Sequence, residues 1–495
     1  MLRYFALTSF HKTAFFFTTF LVLNSFFIDA QTNVANYQRL DDNPRTKTAA
    51  ITELNNRYKL ILKKLPSEYK DEYEELYTDM QEEKLKHIEN DAYLFNDTLQ
   101  DYFTAILTEI KRGNPSIPID NIPFYVARDY SPNAVTSLDG SIAFNLSLLA
   151  NCKNESQVAF AICHELAHYQ LKHPARSVKK MFDVLYSKKG QKDMKEIARS
   201  EYNTYQKAEE YLKNAVYDSR RHGREYEEQA DSLAVMFMAN TRYNAAESAS
   251  CLLMLDQIDS VLFTPNFDLT KVFTTPQYPF KKSWIEEEET MFGGGKRVFD
   301  NELNKDSLKT HPSCQKRATL ATNFIKDAAA KSTLNNPQTD ALFNSIQQKA
   351  EFETLIAAYD FDNVDYALFQ TLKSLQNQPN NVFLNAYVGH CLNAVYEGQK
   401  THKLSKIVSI ATKNKPKSYQ DFLRFLNTMS LPEIASVSYN FLNKQDKSYL
   451  KDEFFLYTFL ISAQNANKNS DVEKHKELYL TTFPKGSHYE IVSKM

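Results

Sequence analysis

The residues whose types and spacing could do chemistry lie between Ala161 and His173, in the stretch AICHELAHYQLKH. Within it, His164 and His168 stand four apart and Glu165 follows the first. On a helix, positions i and i+4 share a face, so the two imidazoles point the same way, one turn apart. Such a pair supplies two ligands to Zn2+, and a carboxylate beside the first can reach a water on the metal and act as its base. The bland alternative is a helix with two hydrogen-bonded surface histidines. The neighbours Val158, Phe160, Ile162 and Leu166 are apolar, which makes the helix a core element.

A catalytic zinc takes three protein ligands and keeps one position open. Two familiar sources of the third ligand fail. Six residues beyond His168 stands Pro174, with Leu171 where a glycine is usual and His173 one position off, so the metzincin pattern is absent. Asp183 is the only acidic residue between Glu165 and Asp193, so no glutamate follows at about twenty residues. The stretch YEEQAD does fit. Glu227 and Asp231 stand at i and i+4. Glu227 can ligate zinc, and Asp231 can accept a hydrogen bond from the outer nitrogen of a ligand histidine. Ala230 between them is small enough for a close helix approach. The rivals Glu225 and Glu228 have Gln229 and Ser232 at i+4 instead. The apolar run SLAVMFMA follows directly and argues against a solvated face.

HELAH, then YEEQAD, then THPSCQKR at Thr310 to Arg317 resemble the three signatures of the zinc metallopeptidase family that includes the HtpX and BepA proteases and the type I CaaX prenyl protease. The run PNAVTSLDGSIAFNLSLL is similar to that family's Asn-Ala and edge-strand segment. The resemblance covers about residues 90 to 330. It implies one Zn2+ per chain held by His164, His168 and Glu227, Glu165 as base and proton shuttle, and Asp231 behind a ligand histidine. It also implies Asn133 facing the substrate, His311 as an oxyanion donor and Arg317 orienting groups near the site. The plain readings of the last two are a turn at His311-Pro312 and a helix-end charge partner. The chain lacks the spanning helices of membrane-embedded members and carries a longer insertion between His168 and Glu227.

The elements that must position these residues read as a mainly α fold with an α+β catalytic core. The expected architecture is a zincin-like metallopeptidase domain with a small β-sheet, followed by an α-helical, tetratricopeptide-like repeat domain. Residues 31–85 read as a solvated helical extension. DAYLFNDTLQDYFTAILTEIKR reads as one helix, ended by GNPSIP. Pro123 to Val126 and SIAFN read as strands, the second entered through the Asp139-Gly140 turn. The zinc helix is expected to start near Asn154, with Asn154 and Gln157 as a capping pair, and to end at Pro174. Residues 175–220 read as an inserted hairpin or lid, and residues 264–312 as a long loop holding Trp284 and Gly293 to Gly295. The expected division is a signal peptide at 1–30, the extension at 31–85, the peptidase at 86–332 and the helical repeats at 333–495.

Balanced charge, 59 basic against 61 acidic residues, provides no field for nucleic acid. The N-terminus reads as an export signal: Arg3 and Lys12, the apolar core Ala14 to Ile28, and a cleavage point between Ala30 and Gln31. An uncleaved anchor is the alternative. No later segment is apolar enough to span a membrane, so the expected location is periplasmic or extracellular, with membrane association left open. Five scattered cysteines outline no disulfide framework. The reading is a zinc endopeptidase of protein or peptide substrates in envelope quality control or processing, with a partner protein on the repeats. The rival readings are a latent or inactive peptidase serving as a chaperone or scaffold, and a pure interaction protein built on the repeats.

Overall fold

The computed structural model describes residues 37–199, 223–286, 314–328, 341–412 and 415–495. They divide into two compact units, and neither is continuous in sequence.

The unit that carries the HELAH stretch comprises described residues 40–262 and 314–357. Its core is a four-stranded sheet in the order β1-β2-β4-β3, with β1 Tyr93–Leu94, β2 Phe124–Ala127, β3 Ala134–Thr136 and β4 Ile142–Asn145. β2 and β4 run parallel, and the other two pairs are antiparallel. Strand alternation sorts the side chains onto two faces. Val126, Ile142 and Phe144 point into the main core, beside helix α3 (Asp97–Gly113) and the zinc helix. Tyr125, Ala127 and Ala143 point to the opposite face.

That opposite face is covered by the N-terminal helices α1 (Pro44–Leu62) and α2 (Lys70–Glu89), through Leu54, Tyr58 and Ile88. The extension is therefore not a solvated arm. Its many charges occupy the outer faces of two helices whose inner stripe is buried. A polar bolt completes the junction. Lys84 Nζ donates to Asp139 Oδ2 at 2.7 Å, Tyr58 donates to the same oxygen at 3.0 Å, and Arg57 Nη2 donates to the Asp139 carbonyl at 2.6 Å. Asp139 lies within the β3–β4 turn, next to Gly140, which takes φ 81°, a left-handed conformation that suits glycine. The bolt thus fixes the strand that will meet the catalytic helix.

Two sequence readings change here. The single helix expected from Asp91 begins as β1, and α3 starts only at Asp97, capped by the Asn96 side chain. A two-residue strand is too short for its alternation to register. The strand Ile142–Asn145, which lies in the segment similar to the family's edge strand, has β2 on one side and β3 on the other, so β4 is internal and β1 and β3 are the edges.

α4 (Leu146–Asn151) leads to the zinc helix α5 (Glu155–Gln170). Asn154 caps α5, its side chain accepting from Gln157 N. Pro174 does not end this helix. The chain breaks at Lys172, with φ 56°, and Pro174 lies in the first turn of α6 (His173–Leu185), where its missing N–H costs nothing. α7 (Lys188–Ala198) follows, and the rest of the expected insertion lies outside the described residues. Residues 223–239 form α8, and α9 (Glu247–Leu262) and α11 (Cys314–Ala328) pack beside it in the core. Asn114, after α3, donates to the Phe237 carbonyl at 3.0 Å and so ties down the end of α8. All five cysteines are buried and free.

The other unit comprises described residues 37–39, 263–286 and 358–495. It holds α10 (Leu269–Phe273), the end of α12 (Ala341–Asp360) and the helices that follow. α14 (Val382–Lys400) packs against α13 (Val364–Asn377), α17 (Leu431–Asn443) and α18 (Glu453–Asn465). Gly389 permits the α14–α17 approach, because a Cβ there would lie 2.5 Å from a Leu442 methyl carbon. Trp284, expected in a loop, is buried against Tyr278, Phe280 and Phe425. The Gly293 loop and residues 1–30 lie outside the described residues. Among the described residues, no helix is long and apolar enough to cross a membrane.

Candidate metal centre

α5 is buried on nearly every side, by the sheet, α3 and α9, so its few polar residues need partners. His164 and His168 leave it on one face. Their Nε2 atoms lie 3.0 Å apart. Glu227 on α8 faces both, at 3.4 Å from His164 Nε2 and 3.5 Å from His168 Nε2. Ligands of a tetrahedral zinc at 2.0–2.1 Å stand about 3.3 Å from one another. The three side chains expected as ligands therefore already have the spacing of three corners of that tetrahedron. Among the described residues they are the one group of three or more His, Cys, Asp or Glu side chains that could hold a metal ion.

The outer nitrogens give a second test of fit. His164 Nδ1 lies 3.0 Å from Asp231 Oδ1, near but not aligned as a straight hydrogen bond. His168 Nδ1 lies 3.0 Å from His173 Nδ1. If both Nδ1 atoms carry protons toward these partners, both Nε2 lone pairs converge with a carboxylate on one point. Such a donor set calls for a cation. Zinc suits two imidazoles and one carboxylate.

Arg317, on α11, is buried and grips Asp231 with two bonds, Nε to Oδ2 at 2.6 Å and Nη2 to Oδ1 at 2.9 Å. Its Nη1 also lies 2.9 Å from Glu227 Oε2. From the first turn of α11 it is a charge partner of Asp231 and Glu227 together.

The charges around the point are strongly coupled. Burial pulls the His164 imidazole down, but its contacts with Asp231 and Glu227 outweigh this and raise it to about 10. Burial and the His164 charge press His168 down to about 3. Burial pushes the Glu227 carboxyl up, yet His164, Arg317 and His168 hold it well below the usual range. Asp231 is also held low, against burial, by the Arg317 bonds and its contact with His164. A proton on His164 is thus the cation that the cluster holds before a metal displaces it.

Glu165 is buried, and burial raises its carboxyl above the ordinary carboxylate range. Its partner is Thr136 on edge strand β3. The Thr136 hydroxyl stands 2.8 Å from Glu165 Oε2 and 2.7 Å from the Glu165 carbonyl oxygen. Asn133 stands three residues earlier, half-buried, its carbonyl accepting from Asn145 N at 3.0 Å. His311 lies outside the described residues.

Sequence reasoning did not find Thr136, His173 or Gln229. Thr136 is 29 positions from Glu165, and nothing in the local pattern links them. His173 was noticed only as failing a ligand spacing.

Residues 99–324 match the family model of Peptidase family M48. The match supports the zinc metallopeptidase family that the sequence signatures resemble, and it spans the HELAH helix, the four-stranded sheet's β2 to β4 and the converging His-His-Glu cluster. A search of curated proteins returned no match.

Proposed function

We propose that the chain is a zinc-dependent endopeptidase acting on protein substrates. The observation that carries this reading is the convergence of His164, His168 and Glu227 at ligand spacing beside the buried carboxylate of Glu165. When bound, zinc supplies a Lewis acid that polarises the scissile carbonyl and acidifies a water. Glu165 accepts the proton of the attacking water and returns it to the leaving amide nitrogen. Its raised proton affinity suits a group that must hold a proton between these two steps. Thr136 holds the carboxylate while it does so. Arg317 and Asp231 keep His164 and Glu227 in register. Asn133 and His311 are assigned to the substrate backbone and the oxyanion, respectively.

The edge position of β3, packed against α5, supports binding of substrate as an added strand, which selects extended segments. The C-terminal helices are proposed to recruit a client or partner protein. The apolar N-terminus supports export, and the compartment proposed is the cell envelope, with a role in quality control or processing there.

The test is cleavage of unfolded casein by the purified protein, by Glu165→Gln, and in the presence of chelator. Cleavage that is lost in both controls and returns with added zinc supports the reading. Cleavage that survives Glu165→Gln would refute it. Zinc binding without turnover would move the weight to a latent peptidase with a chaperone or scaffold role.

A further inference from the structure

The break after α5 does more than end a helix. In an unbroken helix, positions 168 and 173 would diverge by about 140°, from 3.6 residues per turn. The left-handed Lys172 instead turns the chain so that the buried His173 comes back over His168, Nδ1 to Nδ1 at 3.0 Å. The far side of the ring is also held. His173 Nε2 lies 3.2 Å from Gln229 Oε1 on α8. Tyr226, one residue before the ligand Glu227, stacks on the ring with centroids 4.3 Å apart and planes 11° apart. Arg176 also lies over Tyr226, its guanidinium carbon 4.7 Å from the ring centroid.

With His173 neutral, one proton arrangement satisfies every contact. Gln229 Oε1 can only accept, so His173 Nε2 donates to it. A neutral His173 then has a lone pair at Nδ1, and His168 Nδ1–H donates into it. His168 is left with its lone pair at Nε2, the atom that faces His164 and Glu227. We propose that His173 is a positioning residue for the metal: it accepts from His168, fixes the ligand tautomer and ring angle, and, through Gln229 and Tyr226, links that ligand to the helix that brings Glu227. His168 would then have an imidazole behind it, as His164 has the Asp231 carboxylate.

This inference rests on the zinc reading above, so the test measures zinc affinity directly, by competition with a chromogenic chelator. His173→Phe keeps the ring and its stack but removes the acceptor. His173→Asn restores an acceptor near the position of Nδ1. Loss of the partner of a ligand histidine typically weakens metal binding by roughly 10- to 100-fold. The expected result is a loss of that size for His173→Phe, with His173→Asn within about threefold of the parent. A His173→Phe protein that is folded and binds zinc like the parent overturns the proposal. So does an Asn variant as weak as the Phe variant, which would mean that the ring only packs. Should the Phe variant not fold, 15N–1H correlation on the zinc-loaded parent decides. Protonated Nδ1 with metal on Nε2 at His168 supports the assignment, and the opposite tautomer overturns it. A parent that takes up no zinc fails the metal reading itself, a different result from zinc uptake that is indifferent to residue 173.

Discussion

Replacing Thr136 with valine removes one hydroxyl from the active-site wall and keeps the side-chain shape. The structure gives that hydroxyl two oxygen neighbours, both on Glu165, at 2.7 and 2.8 Å. A hydroxyl has one proton to give. When Glu165 is ionised, the proton goes to the carboxylate. When Glu165 has taken a proton from water, the hydroxyl can turn to the carbonyl and accept from the acid. The same residue therefore serves both protonation states without moving. A hydrogen bond to a charged group contributes about 1.5–3 kcal/mol, so Thr136→Val should lower kcat/KM by about 10- to 150-fold. The pH profile fixes the cause. Burial raises the Glu165 carboxyl, and the Thr136 bond opposes the rise. Without that bond the carboxyl climbs further. Because the base must be ionised to accept a proton, the acid limb of kcat/KM should move to higher pH, with the deficit largest at low pH. Thr136→Ser should restore both rate and limb. The assay is a quenched-fluorescence peptide over a range of pH. Activity within about twofold of the parent, with the acid limb unmoved, would refute the reasoning.

Three further outcomes follow from the same contacts. Asp231→Asn should weaken zinc binding by roughly 10- to 100-fold by chelator competition, because His164 loses the carboxylate behind it. Asp139→Asn leaves the buried Lys84 ammonium without its counter-charge and should cost about 3–5 kcal/mol in denaturant unfolding. Burial already lowers Lys84, so this deficit should shrink as pH rises and the amine becomes neutral. Zinc uptake by the apoprotein should release about one proton at pH 6, from His164, since His168 is already neutral there. Calorimetry in buffers of different ionisation enthalpy measures that number, and a value near zero would contradict the assigned charge state of His164.

The sequence carried the metal cluster because its spacing is local. His164 and His168, and again Glu227 and Asp231, are each one helical turn apart, and a turn is what residue spacing encodes directly. That the two pairs meet across α5 and α8 was read from the acidic pair in YEEQAD and the apolar run behind it, and the resemblance implied it again. Arg317 was placed near the site in the same way, but its double grip on Asp231 and its reach to Glu227 are tertiary facts. Thr136 and His173 were invisible for different reasons. One reaches the site across a sheet, and the other through a helix break that periodicity cannot anticipate. The charged composition of residues 44–89 hid a buried stripe of Leu54, Tyr58 and Ile88, because two-sided helices average to a polar mean.

The central claim is that His164, His168 and Glu227 together hold one zinc. X-ray absorption at the zinc edge, on protein whose metal content has been measured, tests it most directly. The account predicts one zinc per chain with only nitrogen and oxygen neighbours at about 2.0–2.2 Å, a scattering pattern of two imidazoles, and loss of the metal in His164→Ala. A sulfur neighbour at about 2.3 Å, or zinc retained in full by His164→Ala, would contradict it.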